Sequence, residues 1–101
     1  MRKTRPAIVV SQDGLGVLPI KLVVPLTEWS DRFDGRLWLV KIVPDRVNGL
    51  VKDSAADVLQ MRGVDLRRFK QQVGEISPAD LLEVTRAVAQ VVKYRPPGAN
   101  P

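Results

Sequence analysis

The segment that begins at residue 77 constrains the fold most, because it carries the clearest secondary-structure pattern in the chain. Ser77 and Pro78 are the residue types favoured at a helix N-cap and at the first helical position. Leu81, Val84 and Val88 then recur at helical spacing, with charged and polar residues between them. The pattern predicts an amphipathic helix over residues 78–94, followed by a flexible tail at 95–101.

The remainder of the chain contains only short apolar runs that are separated by turn residues. We predict strands at 7–11, 18–26, 37–43 and 55–61, a short helical turn at 64–69 and a short final strand at 73–76. This arrangement predicts an α+β fold that is mainly β. A small, strongly bent antiparallel sheet or barrel would be covered by the C-terminal helix, in a single domain over residues 2–94.

Composition excludes several classes of function. The chain has no cysteine and no histidine, which removes disulfides, thiolate metal sites and histidine-activated nucleophiles. No apolar run approaches the roughly 20 residues of a membrane span, and the N-terminus lacks a secretory pattern, so we expect a cytoplasmic protein without membrane contact. The net charge of +5 is compatible with a nucleic acid or an acidic protein as partner.

The first apolar run places a cation at the start of a strand. Residues 4–11 are Thr-Arg-Pro-Ala-Ile-Val-Val-Ser, and Pro6 is tolerated at the first position of a strand because it lacks an N–H donor. Arg5 would therefore be held at the end of a rigid element, where a guanidinium can meet a phosphate. The alternative is a solvated arginine at the beginning of an ordinary strand.

Five short blocks occur together in a recognisable order. They are Thr-Arg-Pro-Ala-Ile-Val-Val-Ser at 4–11, Val-Pro-Leu-Thr at 24–27, Lys-Asp-Ser at 52–54, Gln-Met-Arg-Gly-Val-Asp at 60–65 and Gly-Glu-Ile-Ser-Pro at 74–78. With the closing helix, they resemble the MazF/PemK toxins of bacterial toxin–antitoxin systems. The resemblance implies an SH3-like barrel, usually a homodimer, whose groove receives an acidic antitoxin. It also implies a sequence-specific endoribonuclease that cleaves single-stranded mRNA without metal or cofactor.

The same resemblance assigns catalytic roles to Arg5 and Thr27. A guanidinium can stabilise negative charge on phosphoryl oxygens, and a threonine hydroxyl can donate to the same group or orient the attacking 2′-hydroxyl of the RNA. Further RNA contacts are expected from Lys3, Glu28, Trp29, Gln60 and Arg62. For Trp29 the alternative is simple packing, and for Gln60 and Arg62 it is a polar pair with structural hydrogen bonds.

One departure from the family pattern bears on activity. Family members usually begin with a further strand and a loop ahead of the arginine-proline motif, whereas only residues 1–4 precede Arg5 here. We therefore expect the first barrel strand to be missing and one strand edge to be unpaired. The alternatives to a nuclease are a gyrase-binding toxin of the CcdB type, or a relative that only binds antitoxin or RNA. The arginine-proline and proline-leucine-threonine blocks favour the nuclease.

Overall fold

Five antiparallel strands and one α-helix make up the protein in the computed structural model, which describes residues 5–98. The strands are β1 (Ala7–Val9), β2 (Ile20–Glu28), β3 (Leu39–Ile42), β4 (Ser54–Asp57) and β5 (Arg62–Asp65), and the helix is α1 (Pro78–Val91). Short 3-10 helices lie at Asp31–Phe33, Val58–Gln60 and Leu66–Arg68. The predicted α+β class, mainly β with a C-terminal helix, is confirmed.

The long strand β2 connects the whole sheet. One edge of β2 pairs with β1, and the other pairs with β5 near the start of β2 and with β4 near its end. Strand β3 adds to the outer edge of β4. Within residues 5–98, β1 and β3 do not pair with each other, so these strands form the bent sheet of our prediction and not the closed barrel.

The core lies between one face of this sheet and α1. Side chains alternate between the two faces of a strand, and in β2 this turns Val24 and Leu26 towards the helix. Val84 of α1 and Ile42 of β3 are fully buried in the same cluster. Thr27 follows Leu26 and is exposed, on the opposite face of the sheet.

The helix begins as predicted and ends earlier. The Ser77 side-chain oxygen accepts a hydrogen bond from the Asp80 N–H at 3.0 Å, and Pro78 is the first helical residue. The helix stops at Val91 because Lys93 takes a left-handed φ of 62°, after which the Tyr94 N–H bonds to the Ala89 carbonyl. No helix within residues 5–98 has the length and apolar character needed to cross a bilayer.

Capping aspartates explain the predictions that were wrong in the middle of the chain. The strand expected at 55–61 ends at Asp57, whose carboxylate accepts the Leu59 N–H at 3.1 Å and starts a 3-10 turn. Likewise, residues 64–65 belong to β5, and the helical turn begins only after Asp65 accepts the Arg67 N–H. The Arg67 side chain also bonds to this carboxylate and holds the pKa of Asp65 below its usual value.

The short strand expected at 73–76 is absent. The backbone there passes against the 45–50 turn instead, and the Glu75 N–H donates to the Val47 carbonyl at 2.9 Å. This contact ties the segment before α1 to the turn before β4.

Candidate active site

The β1–β2 register relates Arg5 to Thr27. In this ladder Ala7 lies opposite Pro25, and the Leu26 N–H donates to the Pro6 carbonyl at 3.0 Å, so the pairing extends beyond β1. Continued one residue beyond Pro6, the register predicts that Arg5 lies across from Thr27. Directly paired residues project on the same face of a sheet, so this register predicts that the cation and the hydroxyl share one surface.

This surface faces away from α1. Thr27 pairs with Ala55 of β4, and Ala55 pairs with Lys41 of β3, which continues a single row across the sheet. The neighbouring pair, Leu26 and Ala56, points the other way into the core. Because Ala55 has a small, buried side chain, the row holds functional groups at Arg5, Thr27 and Lys41 without a bulky residue between them.

A cavity of about 370 Å³ opens beside Thr27. Its other lining residues come from the loop after β2 and from the ends of β3 and β4: Arg32, Phe33, Arg36, Trp38, Leu39 and Asp57. Trp38 packs against the core and also lines this cavity.

The cationic character of this cavity was missed at the sequence level. Neither Arg32 nor Arg36 is among the site residues predicted from the sequence, although Arg32 precedes an aromatic residue and Arg36 lies two residues before another. Basic residues interleaved with aromatic ones are a signal for nucleic-acid binding, and this spacing would have marked both arginines as candidates.

Trp29 lies in a second cavity of about 280 Å³ on the same loop, together with Asp31, Asp34 and Lys41. The Lys41 ammonium stands 5.3 Å from the centre of the Trp29 ring and 3.7 Å from the Asp53 carboxylate. The predicted contact residue Trp29 therefore lies next to Lys41, which shares a row of the sheet with Thr27. The Lys41 ammonium covers one face of the Trp29 ring.

Two of the other predicted contact residues, Glu28 and Arg62, do not share the Thr27 position on the sheet. Glu28 pairs with Ser54 on the helix-side row and forms an ion pair with Lys52 at 3.2 Å. Arg62 lies opposite Val23, which is four residues from Thr27 along β2, or about 13 Å at the usual strand rise. Gln60 is exposed at the end of a 3-10 turn, and Lys3 lies outside the described residues.

Acidic side chains are not gathered into a metal site in the part of the chain that the structure describes. No group of three or more potential ligands is close enough to hold an ion within residues 5–98.

Comparison with protein families identifies the chain. The model of the PemK-like, MazF-like toxin of type II toxin–antitoxin systems matches residues 1–92. This protein therefore belongs to that toxin family, and the resemblance inferred from the five blocks is confirmed. None of the curated proteins compared with the chain gives a significant match.

Solved structures share the fold at low sequence identity. The chain is similar to the Mycobacterium tuberculosis toxin MazF-mt6, with 18% identity, coverage of 90% of this chain and 88% of that chain, and a TM-score of 0.74. It is also similar to a MazE–MazF structure (Form-III) from Deinococcus radiodurans, with 24% identity, coverage of 90% and 87%, and a TM-score of 0.71. These likenesses show that the open sheet and its helix have the MazF fold.

Proposed function

We propose that this toxin is a sequence-specific endoribonuclease that cleaves single-stranded mRNA without a metal ion. The observation that supports the proposal is the β1–β2 register, which predicts Arg5 across from Thr27 on the face of the sheet that α1 does not cover. Family membership supports the toxin role. The cavity beside Thr27 supplies further cations for a polyanionic substrate.

In this mechanism the RNA provides its own nucleophile. The 2′-hydroxyl attacks the adjacent phosphorus, the bond to the 5′ oxygen breaks, and the products carry a 2′,3′-cyclic phosphate and a 5′-hydroxyl. Negative charge develops on the non-bridging oxygens, and Arg5 stabilises it with paired donors. Arg5 therefore acts mainly through its positive charge, and proton donation is secondary. Thr27 donates a hydrogen bond to the same group or orients the 2′-hydroxyl.

The partners follow from the same surface. We propose that an acidic antitoxin neutralises the toxin by covering the cationic groove, since the similar Deinococcus radiodurans structures are MazE–MazF assemblies. We also propose a homodimer that acts in the cytoplasm. Three apolar side chains on or just before β2, those of Leu18, Ile20 and Leu22, are exposed and alternate onto one side of the strand, which gives a second copy a surface to cover.

The nuclease proposal is tested by incubating the protein with a mixed single-stranded RNA in excess EDTA and identifying the ends of the products by mass spectrometry. We expect cleavage with cyclic phosphate ends, and a rate lower by about 10²–10³ for Arg5→Ala. Arg86→Gln removes a charge from the solvent side of α1 and should cleave like the wild type. No cleavage by the wild type, or equal cleavage by Arg5→Ala, would contradict the proposal.

A further inference from the structure

Two guanidinium groups stand beside Thr27 that the proposed chemistry does not use. Both Arg32 and Arg36 line the same cavity as Thr27, on the side of β2 away from β1 and Arg5. We propose that Arg32 and Arg36 form a second phosphate-binding subsite, which holds the single-stranded RNA next to the phosphate that is cleaved. The choice of RNA as ligand rests on the proposed function.

The loop that carries these arginines is held in one conformation by its own backbone. The Phe33 N–H donates to the Ser30 carbonyl at 2.8 Å, and the Arg36 N–H donates to the Phe33 carbonyl at 3.1 Å. A side-chain bond adds to these, because Arg36 Nε donates to the Arg32 carbonyl at 3.2 Å. Because this loop is already ordered, little conformational entropy is lost when its side chains bind a ligand.

Aromatic rings position both cationic groups. The Arg32 guanidinium carbon is 5.5 Å from the centre of the Phe33 ring, and that of Arg36 is 5.7 Å from the centre of the Trp38 ring. Phe33 is in turn met edge-on by Trp29, with ring centres 5.7 Å apart. Cation–π contact holds a guanidinium while leaving donors free for a planar, bidentate contact with an anion.

The charge balance of the cavity favours an anionic ligand. Within residues 5–98, neither Arg32 nor Arg36 forms an ion pair with a carboxylate. Among the described residues that line the cavity, only Asp57 is acidic, and its carboxylate already accepts the Leu59 N–H. The volume of about 370 Å³ lies within the range of roughly 300–1,000 Å³ that is typical of ligand sites.

The position of the cavity favours RNA over an acidic peptide. If the reacting phosphate lies between Arg5 and Thr27, the chain of the RNA runs on past Thr27 towards Arg32 and Arg36. Neighbouring phosphates of one RNA strand must bind at adjacent positions, so a cation next to Thr27 suits the phosphate that follows the reacting one. An acidic peptide that requires only positive charge has no need of the Thr27 hydroxyl in the same cavity.

The test measures binding separately from cleavage. Fluorescence anisotropy gives the affinity for a pool of short, single-stranded 2′-O-methyl RNAs, which lack the nucleophile and stay intact. We expect Arg32→Gln/Arg36→Gln to weaken binding about tenfold or more. The slope of log affinity against log salt should become shallower by about 0.7 for each phosphate that the protein no longer neutralises. The matched control Arg86→Gln/Lys93→Gln removes two charges at α1 and should change neither quantity substantially.

A conservative variant separates charge from geometry. Arg32→Lys/Arg36→Lys keeps both charges but loses the bidentate donors, so it should restore the salt slope and only part of the affinity. Circular dichroism melts establish that each variant is folded.

The subsite would be overturned if the wild type did not bind the RNA pool, or if Arg32→Gln/Arg36→Gln bound it with the same affinity as the control. It would also be overturned if, in a parallel anisotropy measurement, the variant lost affinity for a glutamate-rich peptide but not for RNA. A wild type that binds through these arginines but does not cleave would contradict the nuclease alone. Cleavage by the wild type with RNA affinity unchanged in Arg32→Gln/Arg36→Gln would contradict the subsite alone.

Discussion

Backbone packing leaves no room for a side chain at Gly74. A Cβ there would overlap the Val47 carbonyl oxygen and the backbone of Asn48. Asn48 is buried and holds the turn together: its side-chain oxygen accepts the N–H groups of Asp45 and Leu50, and its amide donates to the Val43 carbonyl. Any shift of this turn therefore disturbs several hydrogen bonds at once.

We predict that Gly74→Ala lowers the free energy of unfolding by about 2–3 kcal/mol, because a backbone group must move. Urea denaturation measures this change. The control Gly35→Ala puts a side chain at a φ of 79° in open space and should cost only about 1 kcal/mol from backbone strain. Equal stability of Gly74→Ala and the wild type would show that the contact between the two segments is unimportant.

Individual site residues were predictable to different degrees. Arg5 and Thr27 were assigned from the motif resemblance, and the continued strand register predicts that these residues, distant in sequence, share one surface. Glu28 follows Thr27 in β2, so it lies on the opposite face of the sheet from Thr27. The relation of Arg32 and Arg36 to Thr27 depends on how the loop after β2 folds back over the sheet, which residue spacing does not determine.

Among the elements, α1 begins at a well-defined cap. The Ser77 hydroxyl oxygen accepts the Asp80 N–H, which would otherwise have no partner within the helix. We predict that Ser77→Ala lowers the free energy of unfolding by about 1 kcal/mol, whereas Ser77→Asp keeps an acceptor and has a much smaller effect. Thermal unfolding followed by circular dichroism measures both, and a larger loss for Ser77→Asp than for Ser77→Ala would contradict the capping role.

The helix was predictable because its apolar period spans four turns, and its packed residues Val84 and Val88 match that period. Five strands were predicted and five are present within residues 5–98, but the expected strand at 73–76 is absent and β5 (Arg62–Asp65) was not predicted. Apolar content continues from 55 to 61, but a local bond from Asp57 ends β4 early, and only the structure shows that this aspartate caps a turn. Side-chain hydrogen bonds of this kind compete with the hydrogen bonds between strands, and the pattern of apolar residues does not predict which of the two forms.

For the whole molecule, one face of the sheet forms the core and the other forms the candidate site. One face is closed by α1 and supplies the core, while the opposite face carries Arg5, Thr27 and the cationic cavity. The net charge of +5 indicated a polyanionic or acidic partner, and two of the 16 Lys and Arg residues, Arg32 and Arg36, line the cavity beside Thr27. Stability and function are therefore largely separable by mutation.

The proposed homodimer is a prediction at this scale. Light scattering should give a mass of twice 11.2 kDa at micromolar concentration, and Ile20→Lys should shift the population towards monomer by placing a charge on the exposed apolar surface of β2. Leu15→Lys changes another exposed apolar side chain, in the preceding turn, and serves as the control. A mass of 11.2 kDa at all concentrations would contradict the dimer.

The most direct test of the account is a double-mutant cycle on Arg5 and Thr27, with the rate of cleavage of one RNA in excess EDTA as the measurement. Arg5→Ala and Thr27→Val should each lower the rate by about 10²–10³. If both side chains act on one phosphoryl group, as the register indicates, the double variant should be little slower than the worse single variant. Losses that multiply in the double variant, or a wild-type rate for either single variant, would contradict a shared site.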